Sequence, residues 1–254
     1  MAGNEADDQE CMNISFSGCG FLGIYHVGVA SAIKEYAPNL YMNKVAGASA
    51  GAIAACGLIS NMCLSQATSD VLKIVALARQ HQLGPLHPSI NLMNILRTGL
   101  MKNLPDDAHK MASGRLFISM TRVSDGKNVL VSQFDTKEEL IQAMLCSSFI
   151  PLYGGTLPPT FRGVRYMDGG FSDNLPILNG NTVTVSPFSG ESDICPQDRD
   201  SQSFLSFDLT NMNIRFTSRN FYRFSVALFP PHPEIMSSIC RQGFEDTLRF
   251  LARH

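Results

Sequence analysis

The sequence lacks the excess of basic residues that proteins use to contact nucleic acids. Its 254 residues include 20 Lys and Arg against 22 Asp and Glu, which gives a formal net charge of −2. Phosphate-binding surfaces are strongly basic, and the chain has no run of basic residues that would draw it to anionic lipid headgroups. We therefore expect no nucleic-acid partner, and any contact with a membrane or a lipid droplet has to be apolar.

Paired cysteines are missing too. The seven cysteines are scattered, and no two of them show the C-x-x-C spacing that is typical of zinc and redox sites. His81, His87 and His109 also lack neighbours in the sequence that would complete a metal site. This pattern favours reduced thiols in a cytoplasmic protein and predicts no metal.

A secretory signal and a membrane-spanning segment are absent as well. The first ten residues, MAGNEADDQE, are acidic and polar, whereas a secretory signal starts with basic residues and continues with an apolar stretch. The longest run of small apolar residues, 45–59, is shorter than the roughly 20 residues that cross a bilayer. We expect residues 1–11 to form a flexible acidic N-terminus and the protein to be cytoplasmic, with association with lipid droplets or membranes left open.

The sequence does contain short β-prone runs that alternate with apolar helical segments. Strands are predicted at 13–17, 44–46, 115–122, 128–134, 164–167 and 182–186, and helices at 24–36, 49–60, 66–82, 90–102, from an N-cap at Thr136 onward, and twice between 217 and 254. Residues 190–200 are polar and predicted to form a loop. The alternation predicts an α/β fold with three layers and a largely parallel central sheet, and the length fits one domain.

A serine between two glycines, Gly47-x-Ser49-x-Gly51, separates a predicted strand from a predicted helix. A nucleophilic serine stands on a sharp turn, and glycines on either side leave room for the backbones that the turn brings together. The following helix also directs the positive end of its dipole at the serine. The pattern alone arises by chance in glycine-rich sequences, so it is the strand–turn–helix context that indicates a nucleophile.

The first glycine-rich turn along the chain, Gly18-x-Gly20-x-x-Gly23, also ends a predicted strand and opens a helix. Backbone amides at such a turn bind either the oxyanion of a tetrahedral intermediate or the pyrophosphate of a dinucleotide. A dinucleotide site needs an acidic residue at the end of the next strand. That strand instead runs through Gly47 directly into Ser49, so an oxyanion hole is favoured.

A third turn, Asp168-Gly169-Gly170, follows the predicted strand 164–167. A general base has to lie within hydrogen-bonding reach of the serine, and neighbouring glycines permit a close approach of the backbone. The D-G-G pattern alone is often a simple turn. Because the ends of parallel strands meet at one edge of a sheet, we expect the three turns to converge there.

Together these motifs resemble the patatin-like phospholipase-domain lipases, in the branch of adipose triglyceride lipase and its short relatives. The similar stretches are SFSGCGFLGIYHVG from Ser15, GASAG from Gly47, SSFIPLYGG from Ser147, MDGG from Met167 and TVSPFSG from Thr184. The resemblance covers nearly the whole chain. It implies a patatin-like α/β/α sandwich whose catalytic core spans residues 12–182, with a C-terminal strand and helices at 183–254 completing the same domain.

The resemblance also implies roles for individual residues and a lipid-ester substrate. Ser49 is expected to attack the ester carbonyl, and Asp168 is expected to take its proton in a Ser–Asp dyad. The oxyanion is expected to be held by the amides of Gly18, Cys19 and Gly20, without a metal or an organic cofactor. The remaining motif glycines are Gly23, Gly47, Gly51, Gly169 and Gly170. A co-activator from the α/β-hydrolase family is expected on the same ground.

One departure from the wider family bears on the substrate. Relatives that cleave phospholipids tend to carry Arg or Lys just before the last glycine of the first turn, where this chain has Leu22. Without that cation an obvious phosphate partner is missing. The sequence therefore favours neutral acyl esters, triacylglycerol above all, with retinyl ester as an alternative. The large lipases of this branch continue into an apolar C-terminal region, so binding to lipid droplets is left open.

Three other interpretations are kept. A Ser–His–Asp triad would use His232, but His232 lies among prolines, where a structural or solvent-facing role is favoured. His26 is expected to be a packed helix residue rather than a catalyst. The same acyl-enzyme can also pass its acyl group to an alcohol, as in an acyltransferase or transacylase. Finally, the motifs can occur in a lipid-binding scaffold of low activity, in which the apolar stretch 92–101 faces lipid or a partner.

Overall fold

The computed structural model describes residues 12–179, 181–198 and 205–253. This part of the chain forms nine strands: β1 (Asn13–Phe16), β2 (Val45–Ala48), β3 (Leu116–Arg122), β4 (Asn128–Val131), β5 (Thr160–Phe161), β6 (Val164–Asp168), β7 (Thr182–Val185), β8 (Ser206–Leu209) and β9 (Met212–Arg215). Its eight α-helices are α1 (Gly23–Tyr36), α2 (Ala50–Ile59), α3 (Leu64–Arg79), α4 (Leu92–Asn103), α5 (Ala108–Ala112), α6 (Lys137–Ser147), α7 (Ser218–Leu228) and α8 (Pro233–Leu251). The acidic N-terminus predicted at residues 1–11 lies outside the described residues.

Four parallel strands form the centre of the sheet, in the order β7, β1, β2 and β3. The crossover from β1 to β2 contains α1, and the crossover from β2 to β3 contains α2 to α5. Parallel neighbours need such long connections because each strand has to return to the same end of the sheet. The prediction of an α/β sandwich with a largely parallel central sheet is confirmed, and the strand that follows β3 pairs with it antiparallel.

The two faces of β3 differ in character. Ile118 and Met120 belong to the main hydrophobic core, together with apolar side chains of α1, α2 and α6. Because successive strand residues point to opposite faces, Ser119 faces the other side, where its hydroxyl donates to the carbonyl oxygen of Asp173 at 2.7 Å. The segment that follows β6 is therefore hydrogen-bonded to the second face of the sheet.

One edge of β3 carries two strands in succession. The first half of β3 pairs in parallel with β2, so that Ala48 lies opposite Ser119, and the second half pairs antiparallel with β6, so that Asp168 lies opposite Met120. The other edge of β3 pairs with β4. The last residues of β2 and β6 therefore meet head to head beside β3. The expectation that a parallel arrangement brings all three turns together is wrong for Asp168, whose strand is antiparallel.

The C-terminal helices α7 and α8 form where two helices are predicted, on either side of the Pro-rich turn. The helix α8 packs along α1, and inside this contact the Tyr25 hydroxyl donates to the buried carboxylate of Asp246 at 2.8 Å. No helix in the described ranges is both long and apolar enough to cross a membrane.

Some local predictions differ from the structure. The strand β5, the helix α5 and the β8–β9 hairpin are not predicted from the sequence. The hairpin turns at Thr210 and Asn211, whose φ angles are 43° and 67°, and such turns are usually signalled by Asn-Gly or Asp-Gly. The polar stretch 190–200 is irregular where it is described, yet Ile194 is buried and forms a β-bridge with Val185, so it is not a solvated loop throughout.

Candidate active site

Ser49 lies at the turn between β2 and α2. Its backbone has φ 53° and ψ −126°, a conformation that residues with a side chain rarely adopt and that costs about 1–3 kcal/mol. A Cβ atom on Gly51 would lie 2.2 Å from the carbonyl oxygen of Phe16, and one on Gly47 would lie 2.5 Å from the carbonyl carbon of Gly51. At Gly51 the backbone of the turn thus packs directly against β1, and at Gly47 the end of β2 packs against the first residues of α2, and only glycine permits either approach.

Ser147, the last residue of α6, is hydrogen-bonded to the backbone of the strained Ser49. Its hydroxyl accepts a hydrogen bond from the Ser49 N–H at 2.8 Å and donates to the carbonyl oxygen of Ser119 at 2.7 Å. Ser49, Ser119 and Ser147 are all buried, so the loss of either bond would leave a backbone group without a partner. Sequence spacing gives no signal for this contact, because Ser147 and Ser49 are 98 residues apart.

Asp168, the last residue of β6, is buried beside Ser49. Its carboxylate accepts a hydrogen bond from the N–H of Gly170 at 2.8 Å, and Asp168 and Ser49 line the same cavity. Burial raises the pKa of Asp168 to about 6, although the interactions with the Ser49 side chain and the Gly170 N–H oppose the rise. Gly169 and Gly170 form a short 3₁₀ turn directly after Asp168. The structure thus brings together the serine and the carboxylate that the sequence singles out.

The first glycine-rich turn lies beside this pair, at the end of β1. The amide of Gly18 donates to the carbonyl oxygen of Asn174 at 3.2 Å, and the Asn174 side chain donates to the Gly18 carbonyl oxygen at 3.1 Å. By contrast, the amides of Cys19 and Gly20 meet no acceptor among the residues that the structure describes. Gly23 begins α1. Of the three amides predicted for an oxyanion hole, two are therefore available, and Asn174 holds the third.

The two histidines weighed as catalysts in the sequence have different environments: His26 is packed and His232 is exposed. His26 is buried in α1, with Nε2 at 2.8 Å from the Ser17 carbonyl oxygen, and burial lowers its pKa to about 4, although the bond to Ser17 opposes the shift. It is therefore neutral and fixed to the end of β1. His232 is the exposed residue before α8, and its Nε2 lies 2.7 Å from Nη2 of Arg79. His232 does not line the cavity that contains Ser49.

A cavity of about 400 Å³ opens in front of Ser49 and Asp168. Its walls are apolar over most of their area and include side chains of α1, α2, α3, α4 and α7. Leu92 and Leu96 of α4 belong to this lining, so the apolar stretch 92–101 contributes to the cavity wall. No Lys or Arg lines the cavity within the described ranges. The cavity therefore fits an apolar, uncharged ligand.

Leu22 does not itself face this cavity. Its side chain is buried in a separate apolar cluster with Leu175, Phe188 and Met212. The absence of a phosphate partner therefore follows from a cavity wall without Lys or Arg rather than from the character of Leu22. The described residues also contain no group of three or more His, Cys, Asp and Glu side chains arranged to hold a metal ion.

Comparisons with known proteins agree with this geometry. The family described as patatin-like phospholipase matches residues 14–179. Patatin-like phospholipase domain-containing protein 2 of Rattus norvegicus is 56% identical over 245 residues, which are 95% of this chain and 51% of that protein. The 1-acylglycerol-3-phosphate O-acyltransferase PNPLA3 of Homo sapiens is 47% identical over 248 residues, 96% of this chain and 51% of that protein.

A solved structure gives the same fold at low sequence similarity. VipD from Legionella pneumophila has a TM-score of 0.53 and 14% sequence identity, over 96% of this chain and 67% of that chain. The chain spans about half the length of the two curated relatives. With more than half of its residues matched by the family and two relatives well above 30% identity, the chain belongs to the patatin-like phospholipase family.

Proposed function

We propose that the protein hydrolyses carboxylic esters of neutral lipids, acylglycerols of the triacylglycerol type, with a Ser–Asp dyad. The observation that carries this proposal is the placement of Ser49 and the buried Asp168 carboxylate together in the wall of one apolar cavity. A hydroxyl becomes a nucleophile when a base within hydrogen-bonding distance takes its proton. Membership in the patatin-like family supports the same chemistry.

In the first half of the reaction, Ser49 Oγ attacks the ester carbonyl carbon while its proton moves to Asp168. The carbonyl oxygen becomes an oxyanion, which the free amides of Cys19 and Gly20 and the N-terminus of α2 stabilise. The carbon–oxygen bond to the alcohol then breaks, and the leaving alkoxide takes the proton from Asp168. An acyl group remains on Ser49.

In the second half, water attacks the acyl carbon and gives a proton to Asp168, which returns it to Ser49 as the fatty acid leaves. A base has to be deprotonated at working pH and still hold a proton briefly, and a carboxyl with a pKa near 6 meets both needs better than one at the usual value of about 4. Burial of Asp168 therefore serves the chemistry directly.

A cavity wall without Lys or Arg supports a neutral acyl ester as substrate. A phosphate or free carboxylate placed there would lose its hydration without gaining a cationic partner. Triacylglycerol is the proposed substrate, and retinyl ester has the same chemical character. We also propose a cytoplasmic location, which the scattered cysteines favour, and contact with lipid droplets or membranes. A co-activator from the α/β-hydrolase family is a proposal that rests on the family resemblance alone.

Acyl transfer is a second candidate, because a relative at 47% identity is named as an acyltransferase. An alcohol in place of water would accept the acyl group from the same acyl-enzyme. Hydrolysis and transfer are separated by adding glycerol or retinol to the reaction and measuring new ester against free fatty acid. A lipid-binding scaffold, the remaining alternative, would release neither product.

The proposed function is tested by hydrolysis of emulsified triacylglycerol and, in parallel, of phosphatidylcholine. We expect the wild type to release fatty acid mainly from triacylglycerol, and we expect Ser49→Ala and Asp168→Ala to lose at least about three orders of magnitude in rate. Both variants should keep the circular dichroism spectrum of the wild type. Full activity of either folded variant, or a preference for phosphatidylcholine, would contradict the proposal.

A further inference from the structure

Large apolar side chains are exposed together on the β8–β9 hairpin, on α7 and directly after each of them. We call this group the apolar rim, and it consists of Phe207, Phe216, Phe221, Tyr222, Leu228 and Phe229. Single exposed apolar residues are ordinary, but a contiguous group of them marks a contact surface. The ring of Phe216 lies 5.0 Å from that of Phe221 and 6.3 Å from that of Phe207, between centroids. Phe207, Phe216 and Phe221 therefore form one continuous surface, and the other rim residues lie on or directly after the same helix as Phe221.

The outward face of α7 carries large apolar side chains in solvent, beside the exposed polar residues Arg219 and Ser225. Phe221 and Tyr222 are 58% and 52% exposed, where a surface helix normally carries polar side chains. The inward face holds the helix by polar contacts instead. The Asn220 side chain donates to the Ser189 carbonyl oxygen at 2.8 Å, and Arg223 forms a buried ion pair with Asp198 at 2.7 Å. Because these contacts fix its orientation, α7 cannot rotate to bury the rim.

The rim borders the mouth of the cavity. Leu228, a rim residue, lines the cavity and is also exposed. Leu209 on the hairpin and Phe171 after β6 likewise line the cavity and are exposed. The inward face of α7 also contacts the first glycine-rich turn, since a Cβ atom on Gly20 would lie 2.2 Å from the Ala227 carbonyl oxygen. The same helix therefore presents apolar side chains outward and supports the turn beside Ser49.

We propose that the apolar rim docks the protein onto the surface of a lipid phase, a zwitterionic phospholipid layer over neutral lipid, with the cavity mouth facing that phase. The proposal rests on the proposed lipid-ester hydrolysis. The rim side chains carry no charge, and the nearby Arg219 lies 3.7 Å from Asp198, so anionic lipid has no special partner there. Tyr and Phe rings suit the boundary between water and acyl chains.

A lipid layer fits this surface better than a protein partner does. A substrate that is insoluble in water has to pass from the lipid phase into the cavity, and the rim borders the opening through which it passes. A protein seated on the rim would cover that opening. A lipid layer in contact with the rim would instead supply the substrate without a step through water.

The test is flotation with triacylglycerol droplets coated with phosphatidylcholine. The double variant Phe221→Ser, Tyr222→Ser changes two rim residues that do not line the cavity. We expect its partition coefficient to fall about 30-fold, which equals about 2 kcal/mol at 1.4 kcal/mol for each tenfold change. The control is Met42→Ser, a change of a side chain that is 65% exposed and lies in the turn before β2, at the opposite end of the parallel strands. It should bind within twofold of the wild type.

Hydrolysis of a soluble short-chain ester keeps the two proposals separable. We expect the double variant to hydrolyse it within twofold of the wild type, because the cavity and the dyad are unchanged. A wild type that floats with droplets but hydrolyses no ester would contradict the proposed function and support docking. A double variant that floats like the wild type would overturn docking, even if it no longer bound a protein partner. Docking would also be overturned by binding that requires phosphatidylserine and disappears at high salt.

Discussion

The turns around Ser49 and the C-terminal hairpin unit, which comprises β8, β9 and α7, are held in place by different forces. Backbone packs directly on backbone around Ser49, and the Ser147 hydroxyl hydrogen-bonds to the Ser49 N–H and to the Ser119 carbonyl oxygen. The hairpin unit has fewer buried apolar side chains, and a buried ion pair and an asparagine fix its helix while its rings face solvent.

This difference matches what each region has to do. The atoms that react have to be placed to within a fraction of an ångström, which close packing and buried hydrogen bonds achieve. A surface that contacts a fluid lipid layer needs orientation and apolar area rather than exact fit. We call the closely packed turns around Ser49 the rigid region. The backbone strain at Ser49 lies in this region, whereas the unfavourable exposure of apolar rings lies in the hairpin unit.

The largest effect is expected when a methyl group is added inside the rigid region. In Gly51→Ala the new Cβ would lie 2.2 Å from the Phe16 carbonyl oxygen and 2.6 Å from that of Ser17, so backbone has to move. We expect the free energy of unfolding to fall by about 4 kcal/mol or more, measured by urea denaturation. Gly99→Ala in α4 is the matched control, because its new Cβ meets nothing within 4 Å, and it should stabilise the protein by about 0.5–1 kcal/mol. Equal effects of the two changes would contradict this account of the turn.

The rigid region is also the part that the sequence predicts best. Each of its glycines is required by a close approach that leaves a pattern in the sequence, so the three turns are recognisable from residue order alone. The partners that complete the site, Ser147 and Asn174, leave no pattern because they act through contacts distant in sequence. Asp168 comes next to Ser49 because β2 and the antiparallel strand β6 pair with successive parts of the same edge of β3. The periodicity of the sequence does not encode that pairing.

The hairpin unit is poorly predicted for a related reason. Its hairpin turns at Thr210 and Asn211 without glycine, and the alternation in β8 and β9 is only four residues long in each strand. The two C-terminal helices are found because they are long and flanked by prolines. The exposed face of α7 is not, since an apolar stripe on a helix ordinarily predicts burial against a core.

The second prediction concerns the ion pair that fixes the hairpin unit. In Arg223→Met the Asp198 carboxylate, whose side chain is 2% exposed, loses both of its bonds to the guanidinium. We expect the free energy of unfolding to fall by about 3 kcal/mol. Relative to the wild type, hydrogen exchange should accelerate more in α7 than in α2. The control is Arg122→Met, which removes a pair whose side chains are both 37% exposed and should change stability by no more than about 0.5 kcal/mol. A similar loss in both variants would contradict the role of burial.

The third prediction uses the carboxyl of Asp168. Its folded-state pKa of about 6 lies above the unfolded value of about 3.9, so the folded protein holds the extra proton between these values. The stability that this proton contributes is complete below about pH 4 and is lost as pH rises through 6. Asp168→Asn keeps a neutral group there, so above pH 7 we expect it to be about 3 kcal/mol more stable than the wild type and to lose ester hydrolysis.

Two measurements check this prediction. Urea denaturation of Asp168→Asn and of the wild type at pH 4 and pH 8 should give similar stabilities at the lower pH and a clear difference at the higher one. The kcat/KM of the wild type should rise with pH, reach half of its maximum near pH 6 and stay level above pH 7, because the base acts when deprotonated. A rate that falls as pH rises through 6 would require a different base.

The smallest effect is expected at the histidine that a Ser–His–Asp triad would need. His232 is exposed, precedes α8 and contacts Arg79 rather than Ser49 or Asp168. His232→Ala should therefore hydrolyse triacylglycerol and a short-chain ester within about twofold of the wild type, since a surface substitution away from the site changes little. A triad histidine would instead cost several orders of magnitude in kcat. A large loss in a variant with wild-type stability would thus mean that the carboxylate acts through an imidazole, and that the C-terminal part of the chain supplies chemistry as well as contact with lipid.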